Sequence, residues 1–98
     1  MTNYRRGAFV ERKCIEVLEA DGYICVRSAG SHSPWDVSAV RYDRARFVQV
    51  KRATTLKLAA HQLDTGREEI SRIQVPCHDT REVWVWLDRQ SWYAKEVV

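Results

Sequence analysis

The sequence predicts a mixed α/β fold in which helices pack against one sheet. Three observations lead there. Apolar residues recur with a helical period through residues 4–20, β-rich runs follow, and a second helical signal interrupts them near residue 65. The expected order is α-β-β-β-α-β-β. At 98 residues, a second core would leave each half too small to fold unaided, so residues 1–98 read as one domain.

Wound at ~100° per residue, Ala8, Val10, Cys14, Ile15, Val17 and Leu18 share one broad arc of the first helix. Glu11 falls in the middle of that arc. A carboxylate inside an apolar stripe is costly unless a cation or a hydrogen-bond donor meets it. The plain alternative is an ion pair with an arginine. Asp21-Gly22 ends the helix, with Gly22 as the C-terminal cap. Residues 23–27 then read as a strand, and Ser28-Ala29-Gly30-Ser31-His32-Ser33-Pro34 as a small-residue loop that lets a ligand approach the backbone.

Residues 35–42 and 45–52 form the next two strands, joined by a turn at Asp43-Arg44. Thr65-Gly66-Arg67-Glu68 matches a capping box, which predicts a helix starting there, with Ile70 and Ile73 as its apolar edge before Pro76. Residues 53–64 fit a short helix or a segment lying over a site. Residues 82–87 and 91–98 make a closing hairpin across Asp88-Arg89-Gln90. Trp84 and Trp86 share one strand face there, and pairing Leu87 with Ser91 sets Trp86 opposite Trp92. Core filling, a dimer surface and base stacking all suit these tryptophans.

Composition narrows the function. No apolar run approaches the ~18–20 residues that cross a bilayer, and the start of the chain lacks the apolar region of a secretion signal. Three cysteines at unrelated spacings suit a reducing compartment, and Cys77-His78 has no matching pair for a zinc site. The expected location is cytoplasmic (host cytoplasm for a viral source). Residues 1–60 carry eleven Lys/Arg against six Asp/Glu, whereas residues 61–98 carry five against seven. A basic front half suits a polyanion, and the acids embedded in it then need a reason.

That reason lies in the hairpin. A turn at Asp43-Arg44 sets Tyr42 opposite Ala45 and Asp36 opposite Lys51. Gln49 and Lys51, two apart, point to the same face. With Glu11 from the inward side of the first helix, two acids, an amide and an ammonium converge. Hard cations such as Mg²⁺ take oxygen ligands, which Asp36, the Gln49 amide, the Val50 carbonyl and Glu11 could supply. A metal lowers the pKa of bound water, and Lys51 can orient that water and stabilise charge on a phosphate.

Pro34-Trp35-Asp36 followed by Gln49-Val50-Lys51 resembles the PD-(D/E)xK nuclease signature. Tyr4-Arg5-Arg6-Gly7-Ala8, Glu11-Arg12 and Arg27-Ser28-Ala29-Gly30-Ser31 are similar to the archaeal-type Holliday junction resolvase branch of that superfamily. The resemblance spans roughly residues 4–52. It implies a restriction-endonuclease-like core, a central mixed sheet of about five strands flanked by two helices, and a homodimer with two active sites. By position, Glu11, Asp36, Gln49 and Lys51 match its metal and catalytic set. Arg12, Arg27, Ser28 and Ser31 match residues that grip the DNA backbone. One departure stands out: the family usually has Glu where this chain has Gln49. An amide there removes one negative charge, which lowers metal affinity or changes the number of metals held.

The expected activity is therefore Mg²⁺-dependent endonuclease cleavage of branched DNA, foremost the four-way junction, with Mn²⁺ as a substitute metal. Arg5, Arg6, Arg12, Arg27 and Arg52 would contact phosphates, and no membrane is involved. Two other readings remain: a nicking or restriction-like nuclease of the same fold, and a non-catalytic DNA-binding module in which Gln49 has abolished metal binding.

Overall fold

The alternating and helical patterns resolve into seven elements in a computed structural model that describes residues 3–28 and 33–98, with side chains from Gly7 onward. They are α1 (Asn3–Ala20), β1 (Ile24–Arg27), β2 (Val37–Arg41), β3 (Arg44–Ala53), α2 (Leu56–Ile70), β4 (Thr80–Leu87) and β5 (Ser91–Val97). The strands form one five-stranded sheet in the order β1-β2-β3-β4-β5. All neighbours are antiparallel except β3 and β4, which run parallel because α2 carries the chain back across the sheet. The sheet is mixed and the element order is the expected one.

Alternation along the two central strands feeds two cores. Val37, Ala39, Val48 and Trp84 pack with Cys14, Leu18 and Tyr23 against α1. Ala53, Val83, Val85 and Leu87 pack on the opposite face with Ala59, Leu63 and Ile70 of α2. A strand buried on both faces needs apolar residues at successive positions, which Val83-Trp84-Val85 supplies. Trp84 is fully buried, while Trp86 and Trp92 meet edge to face at 5.2 Å, opposite each other as the sequence indicates.

α1 stops where Gly22 takes φ +88, a left-handed conformation that glycine adopts freely. The Tyr23 amide then donates to the Leu18 carbonyl at 3.1 Å, closing the helix end. Two sequence expectations need correction. α2 begins at Leu56, not Thr65: Thr55 is the N-cap, and its hydroxyl accepts from the Leu58 amide at 3.1 Å. Thr65 therefore sits mid-helix, and the Thr65–Glu68 capping box is a coincidence of spacing. The β2–β3 turn is Tyr42-Asp43, with Arg41 paired to Arg44. Arg41 clamps Asp43 across it, at 2.8 Å and 3.1 Å.

Gly66 lies where α2 crosses the sheet most closely. A Cβ added there would stand 2.5 Å from Val83 Cγ1 and 3.1 Å from Gln49 Oε1. Both neighbours are buried, so neither can step aside cheaply. Gly66→Ala is expected to destabilise the fold: overpacking costs about 1–3 kcal/mol, and the helix-propensity gain of about 1 kcal/mol offsets only part of it. A urea midpoint below that of the parent protein checks this; an equal or higher midpoint contradicts it.

Candidate functional site

The β2–β3 ladder ends at Val37 opposite Val48, so Asp36 lies just beyond it, level with Gln49 rather than Lys51. The chain is still held there: the Asp36 amide donates to the Val48 carbonyl at 2.9 Å, and the Ser28 amide donates to the Asp36 carbonyl at 2.8 Å. The observed register differs from the expected one by two residues. Because strand side chains alternate with period 2, every residue keeps its face, and Asp36 remains a diagonal neighbour of Lys51.

The Asp36 carboxylate turns toward β3, where Oδ2 accepts from the Val50 amide at 2.8 Å. A strand residue's N–H and C=O point to the same edge, so the Val50 carbonyl faces that side too, past the end of β2. Burial pushes the Asp36 carboxyl up from the usual carboxylate range. The Glu11 and Glu69 charges add to that rise, while the Val50 amide and Lys51 oppose it. The net direction is upward. An acid kept reluctant to ionise beside other acids marks a place where a cation would relieve the repulsion.

Glu11 of α1 projects toward this end of the sheet, and its Oε1 accepts from Arg27 Nε at 2.8 Å. Its inward placement is thus answered by an arginine, within electrostatic reach of Asp36. Glu69, in the last turn of α2, was not foreseen from the sequence. Its Oε2 accepts from Gln49 Nε2 and lies 3.3 Å from Lys51 Nζ. A helix begun at Leu56 brings Glu69 one turn beyond Gly66, over Gln49. The periodicity of Ala59, Leu63, Gly66 and Ile70 behind Thr55 is the signal that could have found it.

Gln49 is only 5% exposed, and its Oε1 has no hydrogen-bond partner. Oxygen donors thus border this corner: the Asp36 and Glu69 carboxylates and the Val50 carbonyl, while the orphaned Gln49 oxygen faces Gly66 of α2. That set suits a hard divalent cation. Among the described residues, no group of three or more His, Cys, Asp and Glu side chains is close enough to hold a metal alone. Mg²⁺ characteristically takes one or two carboxylates and completes its shell with water and substrate phosphate, so the observed set fits it.

The other expected contacts are dispersed around this corner. Arg27 borders it through Glu11, and Arg12 is exposed on α1. Arg52 turns to the α1 face, where Asp88 holds it at 2.6 Å beside a groove of about 750 Å³ lined by Phe9 and Trp86. Asp36 does not line that groove. The backbone of Arg5 and Arg6 is in the first turns of α1; their side chains, and the whole of Ser31, lie outside the described residues. No helix among the described residues is long and apolar enough to cross a membrane.

A mixed five-stranded sheet between two helices, with acid, amide and lysine gathered beyond the central hairpin, is a restriction-endonuclease-like α/β fold. The fold is similar to that of Hjc from Archaeoglobus fulgidus, a Holliday junction resolvase from an archaeal hyperthermophile. The TM-score is 0.58 at 23% identity, covering 89% of this chain and 69% of that one. The sequence model of the archaeal Holliday junction resolvase (Hjc) family matches residues 2–73, α1 through α2, and this chain belongs to that family.

Proposed function

We propose that this chain is a divalent-metal-dependent endonuclease that cleaves branched DNA, the four-way junction foremost, and acts as a homodimer. The observation that carries this reading is the meeting of Asp36, Gln49, Lys51 and Glu69 beyond the end of β2, in a member of a resolvase family. Asp36, with the Val50 carbonyl and the Gln49 oxygen, would hold Mg²⁺. Bound there, the cation supplies an activated water and neutralises charge on the phosphate. Lys51 orients the attacking water and stabilises the extra negative charge as the phosphodiester opens. Arg27 and Arg12 meet the backbone phosphates beside the cut, and the contacts carry no base sequence. Two opposed cuts need two sites, which a twofold dimer supplies by symmetry.

The test is cleavage of an immobile four-way junction against linear duplex of the same sequence in Mg²⁺. Junction cleavage at least about tenfold faster is expected, corresponding to about 1.4 kcal/mol of discrimination. Equal rates would remove the resolvase reading and favour a general nuclease of this fold. No cleavage across Mg²⁺ and Mn²⁺ titrations, with junction binding intact, would favour the binding module.

A further inference from the structure

We propose that Glu69 of α2 supplies the second carboxylate of the metal site, taking the part that a glutamate at position 49 would play. The proposal rests on the metal-dependent reading above and assigns a residue to it. The Gln49 amide nitrogen and the Lys51 ammonium both converge on Glu69 Oε2, the latter at 3.3 Å. Glu69 keeps 38% of its side chain exposed, so its carboxylate borders solvent while still reaching the strand.

A simple ion pair does not account for this arrangement. A partly exposed Lys–Glu pair is worth about 0–1 kcal/mol. The Gln49 oxygen left buried without a donor costs about 1–3 kcal/mol. As the amide stands, its nitrogen satisfies Glu69 and its oxygen is orphaned against α2 near Gly66. Turned over, it would set its oxygen beside the Glu69 carboxylate, two acceptors together, which a cation stabilises. In that orientation a cation would be met by the amide oxygen and the Glu69 carboxylate together.

The charge balance agrees. Glu11 is matched by Arg27, and one ammonium, Lys51, faces two carboxylates, Asp36 and Glu69. A neutral residue at position 49 then leaves one net negative charge for a divalent cation and a DNA phosphate to share. Without Glu69, Lys51 would cancel Asp36 and the corner would be neutral.

The experiment is Mn²⁺ binding to the whole chain by calorimetry, alongside thermal melts, for the parent, Glu69→Gln, Asp36→Asn and the exchange variant Gln49→Glu with Glu69→Gln. Loss of a support residue around a metal typically costs 10–100-fold in affinity, so Glu69→Gln is expected to weaken Mn²⁺ binding by at least about tenfold without lowering the melt. The exchange variant is expected to recover most of that loss, which a residue serving only the fold would not allow. Parental affinity in Glu69→Gln, while Asp36→Asn loses Mn²⁺, overturns the assignment and leaves the metal site standing. Parental affinity in both variants overturns the metal-dependent reading as well. Should Glu69→Gln fail to fold, the exchange variant decides: recovered affinity supports the assignment, and weak affinity contradicts it.

Discussion

Asp36→Asn is expected to abolish DNA cleavage while leaving junction binding equal to or tighter than that of the parent. The carboxylate sits beyond the β2 ladder with its Oδ2 on the Val50 amide, and an asparagine oxygen can keep that hydrogen bond. What the substitution removes is the charge that the proposed divalent cation would need. Losing several kcal/mol of transition-state stabilisation corresponds to a rate loss of roughly a thousandfold or more. Removing a negative charge beside a phosphate should not weaken binding. The fold should not suffer either, because burial and the Glu11 and Glu69 charges already oppose ionisation of Asp36. Its raised folded-state pKa means that ionisation costs the native state stability at neutral pH, so a melting temperature at or above the parent is expected. Cleavage assays, gel-shift titrations and thermal melts of one variant check all three. Cleavage at the parental rate would refute the role of Asp36.

Arg46→Ala is expected to cost about 3–5 kcal/mol of stability without touching the corner around Asp36. Glu82 of β4 is 2% exposed, the deepest carboxylate among the described residues. Arg46 of β3 binds it with two parallel hydrogen bonds, at 2.7 Å and 2.9 Å, and Trp84 Nε1 donates to it at 2.9 Å. Removing the guanidinium strands a charge in the α1 core. For a chain of this length, whose whole stability is of the order of 5–15 kcal/mol, that is a large fraction.

The pH dependence gives this second prediction a sign. Burial pushes the Glu82 carboxyl up, but hydrogen bonds from Arg46, Thr80 and Trp84 outweigh it, and the net shift is downward. A lowered folded-state value contributes stability that is present above the ordinary glutamate pKa and is lost as the pH falls through the folded-state value. In Arg46→Ala, burial is left with less to oppose it and the shift should reverse. Acidification from neutral pH would then relieve part of the variant's deficit, while the same change weakens the parent. Denaturant titrations of both proteins from pH 7 down to about pH 3, below the ordinary glutamate pKa, measure this; parallel curves would show that Glu82 is not the group responsible.

The parts of the molecule that the sequence revealed are those governed by local rules. The arc of Val10, Cys14 and Leu18 defines α1, Gly22 ends it, and the alternation of valines with tryptophans in β4 marks a strand buried on both faces. Asp36, Gln49 and Lys51 were legible because a hairpin brings them together over a short separation. The exact β2–β3 register was not, since a shift of two residues buries the same side chains and changes only the residue opposite Asp36.

What escaped the sequence depends on distance along the chain. Glu69 reaches the site only because α2 crosses the sheet from Leu56 and passes β4 at Gly66, 17 residues after Gln49 in the sequence. The capping-box spacing at Thr65 hid that path, because a helix started there would carry Glu69 in its first turns and on no defined face. The Arg46–Glu82 pair needs the parallel junction of β3 and β4, which no local pattern announces. Glu11 was recognisable as misplaced on its apolar arc, but its partner Arg27 comes from another element, the end of β1.

Anomalous scattering from crystals of the protein grown with Mn²⁺ would reveal whether this corner of the sheet holds a hard cation. A peak about 2.1 Å from an Asp36 oxygen, flanked by the Val50 carbonyl and the Glu69 carboxylate, is expected. Mn²⁺ found only at other positions, with Asp36 still engaged solely with the Val50 amide, would contradict it.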